Sequence, residues 1–256
     1  MTTVSRIEWT EQTWNPIVGC TKISSGCAHC YAETMALRLQ AMGVKVYQNG
    51  FKLTLLPDRL IEPLHRKKPT LYFVNSMSDV FHEEVPFSYI DSIFDVIRRS
   101  PQHTFQILTK RAVRMVHYLA DKQVPDNAWL GVSVENRKQG LPRIEELRKI
   151  SARIRFLSIE PLLESLGTID LFGIHWVIVG GESGPKARPM QKAWLEDIRL
   201  QCEQAGVAFF FKQWGRWGAD GKKRAKKHNG RELNGKTWDQ IPLGAFEMQQ
   251  SVREMT

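Results

Sequence analysis

The sequence predicts an α/β protein built as a partial or complete parallel (β/α) barrel, and three observations lead there. Six near-continuous apolar runs, rich in β-branched and aromatic residues, recur after the first 70 positions, as strands covered on both faces do. Stretches of helical period separate most of them, and a repeated β-then-α order implies parallel strands joined by right-handed crossovers. Nearly every run also ends in polar groups able to bind or react, which is where parallel barrels build their active sites.

Taken in order, a first β/α unit is assigned to WNPIVGC, from Trp14, followed by the helix CYAETMALRLQAMG. The six later strands are read at LYFVNSMSD (from Leu71), TFQILTK (from Thr104), AWLGVSVEN (from Ala128), RIRFLSIEPL (from Arg153), HWVIVGGESG (from His175) and VAFFFKQWG (from Val207). Helices are read at SYIDSIFDVIRRS, RAVRMVHYLADK, NRKQGLPRIEELRKI and MQKAWLEDIRLQCEQAG, the last stopping at Gly206 as helices often do. The polar ends comprise Asn75, Ser76, Ser78 and Asp79; Thr109, Lys110 and Arg111; Ser133, Glu135 and Asn136; Ser158 and Glu160; Gly180 to Ser183; and Lys212 with Gln213. Ser133, Asn136 and Ser183 read equally well as helix N-caps.

With 256 residues, 42% hydrophobic and 25% charged, the composition is that of a globular chain and excludes a disordered class. No apolar stretch approaches the roughly 18 residues of a membrane helix, and MTTVSRIEWTEQTW has no signal-peptide pattern. No membrane partner and a cytoplasmic location are therefore expected. The charge is uneven: nine Lys and Arg against two acids between Lys212 and Lys236 give +7, leaving +2 for the rest. This divides the chain into a barrel over 1–215 and a basic, Trp-containing extension over 216–256. Lys222, Lys223, Arg224, Lys226 and Lys227 can meet phosphates, and Trp214, Trp217 and Trp238 offer rings for bases to stack on. A solvated loop with packed tryptophans is the plainer alternative. The tail LGAFEMQQSVREMT shows neither capping nor periodicity and is expected to be disordered.

In a reducing compartment, three cysteines within eleven residues are metal or cluster ligands, or catalytic thiols, rather than disulfide partners. Cys20, six residues, Cys27, two residues, Cys30 can hold three irons of a cubane and leave the fourth open to a small molecule. A closed Cys3His zinc site using His29, or a four-cysteine site using Cys202, is the structural alternative. Cys202 stands alone in a helix with Trp194 and Ile198, as a small buried hydrophobe would.

With Gly-Cys20, Gly-Cys27 and Cys30-Tyr-Ala-Glu33 in place, the chain resembles the radical S-adenosylmethionine superfamily, from the Cys20 loop to the last run near Gln213. It is also similar to a phage-associated, uncharacterised family with a WNP…GC…GCxxCYAE signature, and distantly to the spore photoproduct lyase branch. The resemblance implies a 4Fe–4S cluster on Cys20, Cys27 and Cys30, bound S-adenosylmethionine, an electron donor, and formation of a 5′-deoxyadenosyl radical. The first gap is six residues where most of the superfamily has three. The family's GGE element normally ends the second strand, whereas here the only Gly-Gly-Glu is Gly180 to Glu182. Ser76, Ser78 and Asp79 are accordingly assigned to the cofactor's amino group, and Glu135, Ser158 and Glu160 to its ribose.

The favoured function is a radical enzyme acting on DNA, RNA or nucleotides. A zinc-stabilised nucleic-acid-binding protein is the alternative, and a metal-dependent nuclease using Asp79, Glu135, Glu160 and Glu182 is the third.

Overall fold

The computed structural model describes residues 7–242; the tail expected to be disordered, 243–256, lies outside the described residues. Seven parallel strands form one sheet in strict chain order: β1 (Gln12–Trp14), β2 (Leu71–Val74), β3 (Thr104–Thr109), β4 (Ala128–Ser133), β5 (Arg155–Ile159), β6 (Trp176–Gly180) and β7 (Ala208–Gln213). The edge strands β1 and β7 are not paired with each other, so the sheet is a curled half-barrel rather than a closed one.

All six predicted runs are strands, but the first unit starts earlier than the sequence suggests. Its strand ends at Trp14, and Ile17–Val18 leaves the sheet to pair antiparallel with Thr54–Leu55. Pro16 accounts for the break, because it has no N–H to donate to a ladder, and its carbonyl accepts instead from the Leu56 amide at 2.8 Å.

The helices α1 (Tyr31–Ala41), α2 (Phe87–Arg98), α3 (Ala112–Leu119), α4 (Arg137–Arg148) and α5 (Lys192–Gln204) follow β1, β2, β3, β4 and β6. Each of α2 to α5 turns an apolar stripe toward the sheet; on α2 it is Ile90, Ile93, Phe94 and Ile97, one face at helical spacing. Asn136 caps α4 by accepting from the Gln139 amide at 2.8 Å, which fulfils the capping reading for that residue.

Side-chain alternation gives the sheet two faces. Trp14, Tyr72, Val74, Phe105, Ile107, Leu130, Val132, Leu157, Val177 and Phe209 join the helices in the main core, where Cys202 is also fully buried. The opposite, concave face is floored by Trp9, Phe73, Trp129, Phe156, Trp176 and Phe210. Trp176 meets Trp9, Trp129 and Phe210 edge-on, with ring centroids 6.1 Å apart in each case. This floor lifts whatever binds above it toward the C-terminal ends of the strands.

Gly131 lies against that floor: a Cβ there would lie 2.5 Å from the Phe156 ring. Gly131→Ala is expected to destabilise the protein by about 1–3 kcal/mol through overpacking, read as a lower urea midpoint with unchanged slope.

Candidate functional site

The cysteine loop lies across the C-terminal mouth of the half-barrel. It is entered by a parallel bridge between Gly19 and Ser78, with the Gly19 amide donating to Met77 at 3.0 Å and the Cys20 amide to Phe51 at 3.2 Å. Cys27 ends a short 3-10 turn and Cys30 is the N-cap residue of α1. The Tyr31 hydroxyl donates to the Ser76 carbonyl, tying the start of α1 to the loop after β2. All three thiols are free and partly exposed, and Cys20 and Cys27 are near enough to feel each other's charge. Burial, then Asp79, pushes the Cys20 thiol up to about 11 against the opposing pull of Arg111. Burial also opposes ionisation of Cys27, but Lys110 and the surrounding hydrogen bonds, Ser24 among them, outweigh it and hold that thiol below its usual value.

Three carboxylate–cation units at the ends of different strands hold this loop. After β2, Asp79 accepts from the Thr109 hydroxyl at 2.7 Å, the Lys110 amide at 3.0 Å and Arg111 at 3.2 Å, and Arg111 reaches Cys20 and Thr21. After β4, Glu135 is completely buried, paired with Lys110 and with Arg143 at 2.6 Å, and accepts from the Ser24 hydroxyl at 2.7 Å. Its side chain fills the space over Gly26, where a Cβ would approach to 2.5 Å, so only glycine lets the loop lie this close. After β6, Glu182 is clasped by Arg188 at 2.5 Å and by His29 at 3.2 Å, while Arg188 also donates to the Ser25 carbonyl at 3.0 Å. Arg188 outweighs the opposing effect of burial and keeps the Glu182 carboxyl below the ordinary range.

These contacts bear on the alternatives set out above. His29 Nδ1 is engaged by the Glu182 carboxylate, and Cys202 is sealed in the core between α5 and the sheet. Among the described residues, no three His, Cys, Asp or Glu side chains converge on a single ion. The four acids of the nuclease reading each face their own cation, Glu160 pairing with Lys212 at 3.1 Å, and do not pool into one acidic centre.

The remaining predicted positions lie at or just after the strand ends. Ser133 and Ser158 are register partners on β4 and β5, and alternation puts both on the concave side with Phe156. The Ser158 hydroxyl donates to Glu160 at 3.3 Å. Ser76 donates to the Asn15 side chain at 3.2 Å and Ser78 to the Ile17 carbonyl at 3.0 Å. Beside them Asn75 is 3% exposed, carries a left-handed backbone (φ +62), and neither end of its carboxamide has a partner. A buried, unsatisfied amide on a strained backbone at a strand end fits a ligand with both donor and acceptor groups, such as an amino acid. Cys20 and Cys27 each have a cation beside them, Arg111 and Lys110, a surround that suits thiolate ligands to iron.

Sequence reading passed over Ser24, Arg143 and Arg188 as site groups. Arg143 alone left a signal, a charged residue on the buried stripe of α4 with Ile144 and Leu147.

The basic extension packs beside this mouth. Trp217 donates to the Ala187 carbonyl at 2.7 Å and Lys223 to Pro185 at 2.8 Å, both in the loop that carries Arg188. Lys222, Lys223, Lys226 and Lys227 are exposed, whereas Arg224 is drawn onto Asp220 at 2.5 Å. Trp214 corrects the stacking expectation: it is 2% exposed, packed on Phe211, and has no face to offer a base.

Fold and site together define an α/β half-barrel of the spore photoproduct lyase type with a three-cysteine loop at its mouth. Two solved variants of that lyase match at TM-score 0.54, with 12% identity over 84% of this chain and 79% of that one, and 13% over 83% and 78%. The lyase complexed with dinucleoside spore photoproduct matches at TM-score 0.48 and 13% identity over 80% of this chain, which spans only 64% of it. No curated protein matches. The chain belongs to the family described as protein of unknown function DUF5131, whose profile matches residues 4–242.

Proposed function

We propose that the chain is an iron–sulfur, radical S-adenosylmethionine enzyme that acts on nucleic acid or nucleotides. The observation that carries this reading is the placement of Cys20, Cys27 and Cys30 across the C-terminal mouth of a parallel half-barrel. Those residues would hold a 4Fe–4S cluster with one iron left for S-adenosylmethionine. The chemistry supplied there is one-electron cleavage of the sulfonium bond to a 5′-deoxyadenosyl radical, with the electron from a separate donor.

The chain's own residues bind and orient. Asn75, with Ser76, Ser78 and Asp79 around it, receives the amino-acid end of the cofactor. Ser158 and Glu160 take the ribose; Glu135, assigned to it from the sequence, is completely buried among Lys110, Arg143 and Ser24 and holds the loop instead. The aromatic floor excludes water from below.

Anaerobic reconstitution with iron and sulfide tests this. The expected result is a brown protein with about four irons per chain that releases 5′-deoxyadenosine when given S-adenosylmethionine and a strong reductant. A protein that takes zinc and releases none is the zinc-stabilised alternative.

The nucleic-acid part rests on the basic extension flanking the mouth. Binding to DNA or RNA should fall with salt by a slope of roughly 0.7–0.9 per phosphate neutralised. Changing Lys222, Lys223, Arg224, Lys226 and Lys227 together to Gln should flatten that slope while iron content stays the same. Salt-independent binding, or none, redirects the search to a small-molecule or protein substrate.

A further inference from the structure

Arg111 follows β3 and is 6% exposed, and every N–H of its guanidinium has an acceptor. Nε donates to Glu83 at 2.7 Å, Nη1 to Asp79 at 3.2 Å and to the Cys20 sulfur at 3.6 Å, and Nη2 to the Thr21 carbonyl at 3.3 Å and hydroxyl at 2.9 Å. The Thr21 hydroxyl is in turn 2.9 Å from His82 Nε2. Two carboxylates thus aim the fork from behind, and its free side grips one cysteine and the residue after it. An ammonium on a flexible stem cannot reproduce this five-point fork.

We propose that Arg111 is a positioning residue that clamps the Cys20–Thr21 segment and places a fixed positive charge against the Cys20 sulfur, biasing a cluster held there toward its reduced state. The charge role rests on the cluster reading; the clamp does not. A cation donating to a ligating sulfur stabilises the more negative oxidation state, so its loss moves the reduction potential downward.

Two measurements on the full chain separate these roles. In the iron-free protein, hydrogen exchange of segment 19–23 should quicken about tenfold or more in Arg111→Gln and Arg111→Lys, the factor expected for losing one charge-assisted hydrogen bond. In the iron-loaded protein, redox titration followed by electron paramagnetic resonance should give a more negative midpoint for Arg111→Gln and a near-parental one for Arg111→Lys. Unchanged exchange in both variants overturns the clamp, and an unchanged midpoint in Arg111→Gln overturns the charge role. If Arg111→Gln does not fold, Glu83→Gln, at a side chain 61% exposed, serves instead: exchange at 19–23 should rise, and no rise overturns the clamp. A parent that takes up no iron overturns the cluster reading and the charge role with it, while the exchange rates still decide the clamp.

Discussion

Cys20→Ala, Cys27→Ala and Cys30→Ala are each expected to leave the reconstituted chain with almost no iron or sulfide, while Cys202→Ala keeps the full complement. Three protein ligands are the minimum for a cubane with one open iron, so no one of them is spare. Cys202 is excluded by its place, fully buried between α5 and the sheet, with burial pushing its thiol up to about 12. Iron and sulfide assays with the visible absorption band check all four variants. Loss of iron in Cys202→Ala to the same degree as in Cys27→Ala would replace the open-iron site with a closed four-cysteine one.

The second large effect concerns stability. Glu135→Ala leaves Lys110 and Arg143, 21% and 9% exposed at their side chains, without their shared counter-charge. Removing one partner from such a buried network costs about 3–5 kcal/mol, read from denaturant unfolding of the iron-free protein. The pH dependence has a definite sign. Burial raises the Glu135 carboxyl, but Lys110 and Arg143 outweigh it and hold the group below its ordinary value of 4.5. A depressed folded-state value stabilises fully above the unfolded one and is lost as pH falls through the folded value. The unfolding free energy of the parent should therefore decline on acidification from about pH 4.5, and that part of the decline should be missing in Glu135→Gln. Equal acid profiles would show that the pair is not what holds the loop.

The strands were legible because their signal is local. A run such as TFQILT must bury both faces, and its composition says so without reference to the rest of the chain. The first strand misled for the same reason: Ile17 and Val18 are as apolar as their neighbours, and only the pairing of Gln12–Trp14 with β2 decides which residues join the sheet. The cysteines and strand-end acids could be named from spacing and position. What spacing does not carry is which cation meets which acid, since Lys110 and Glu135, or His29 and Glu182, meet only after the strands have aligned. Trp214 and Trp217 sit three apart in a glycine-rich segment and look alike in sequence. One is sealed under Phe211 and the other lies half-covered below Lys223, 5.6 Å from its ring.

The unclosed sheet gives the molecule a seam. Six backbone ladders run from β1 to β7, and residues 238–240 bond to the outer edge of β7, but β1 and β7 are not joined to each other; side chains gather at that gap, with Trp9 wedged against Phe73 and Trp176, Glu8 reaching Lys226 at 3.2 Å, and Ile7 and Ile241 beside the same rings. A ring closed by ladders has one circumference, fixed by its strand count and stagger. A clasp of side chains has a range of widths, because its halves can part by repacking a few rings and releasing one solvent-facing ion pair while every ladder stays intact. The cysteine loop is braced from β2, β4 and β6, each with a ladder on both sides, so a change of width at the seam need not disturb it.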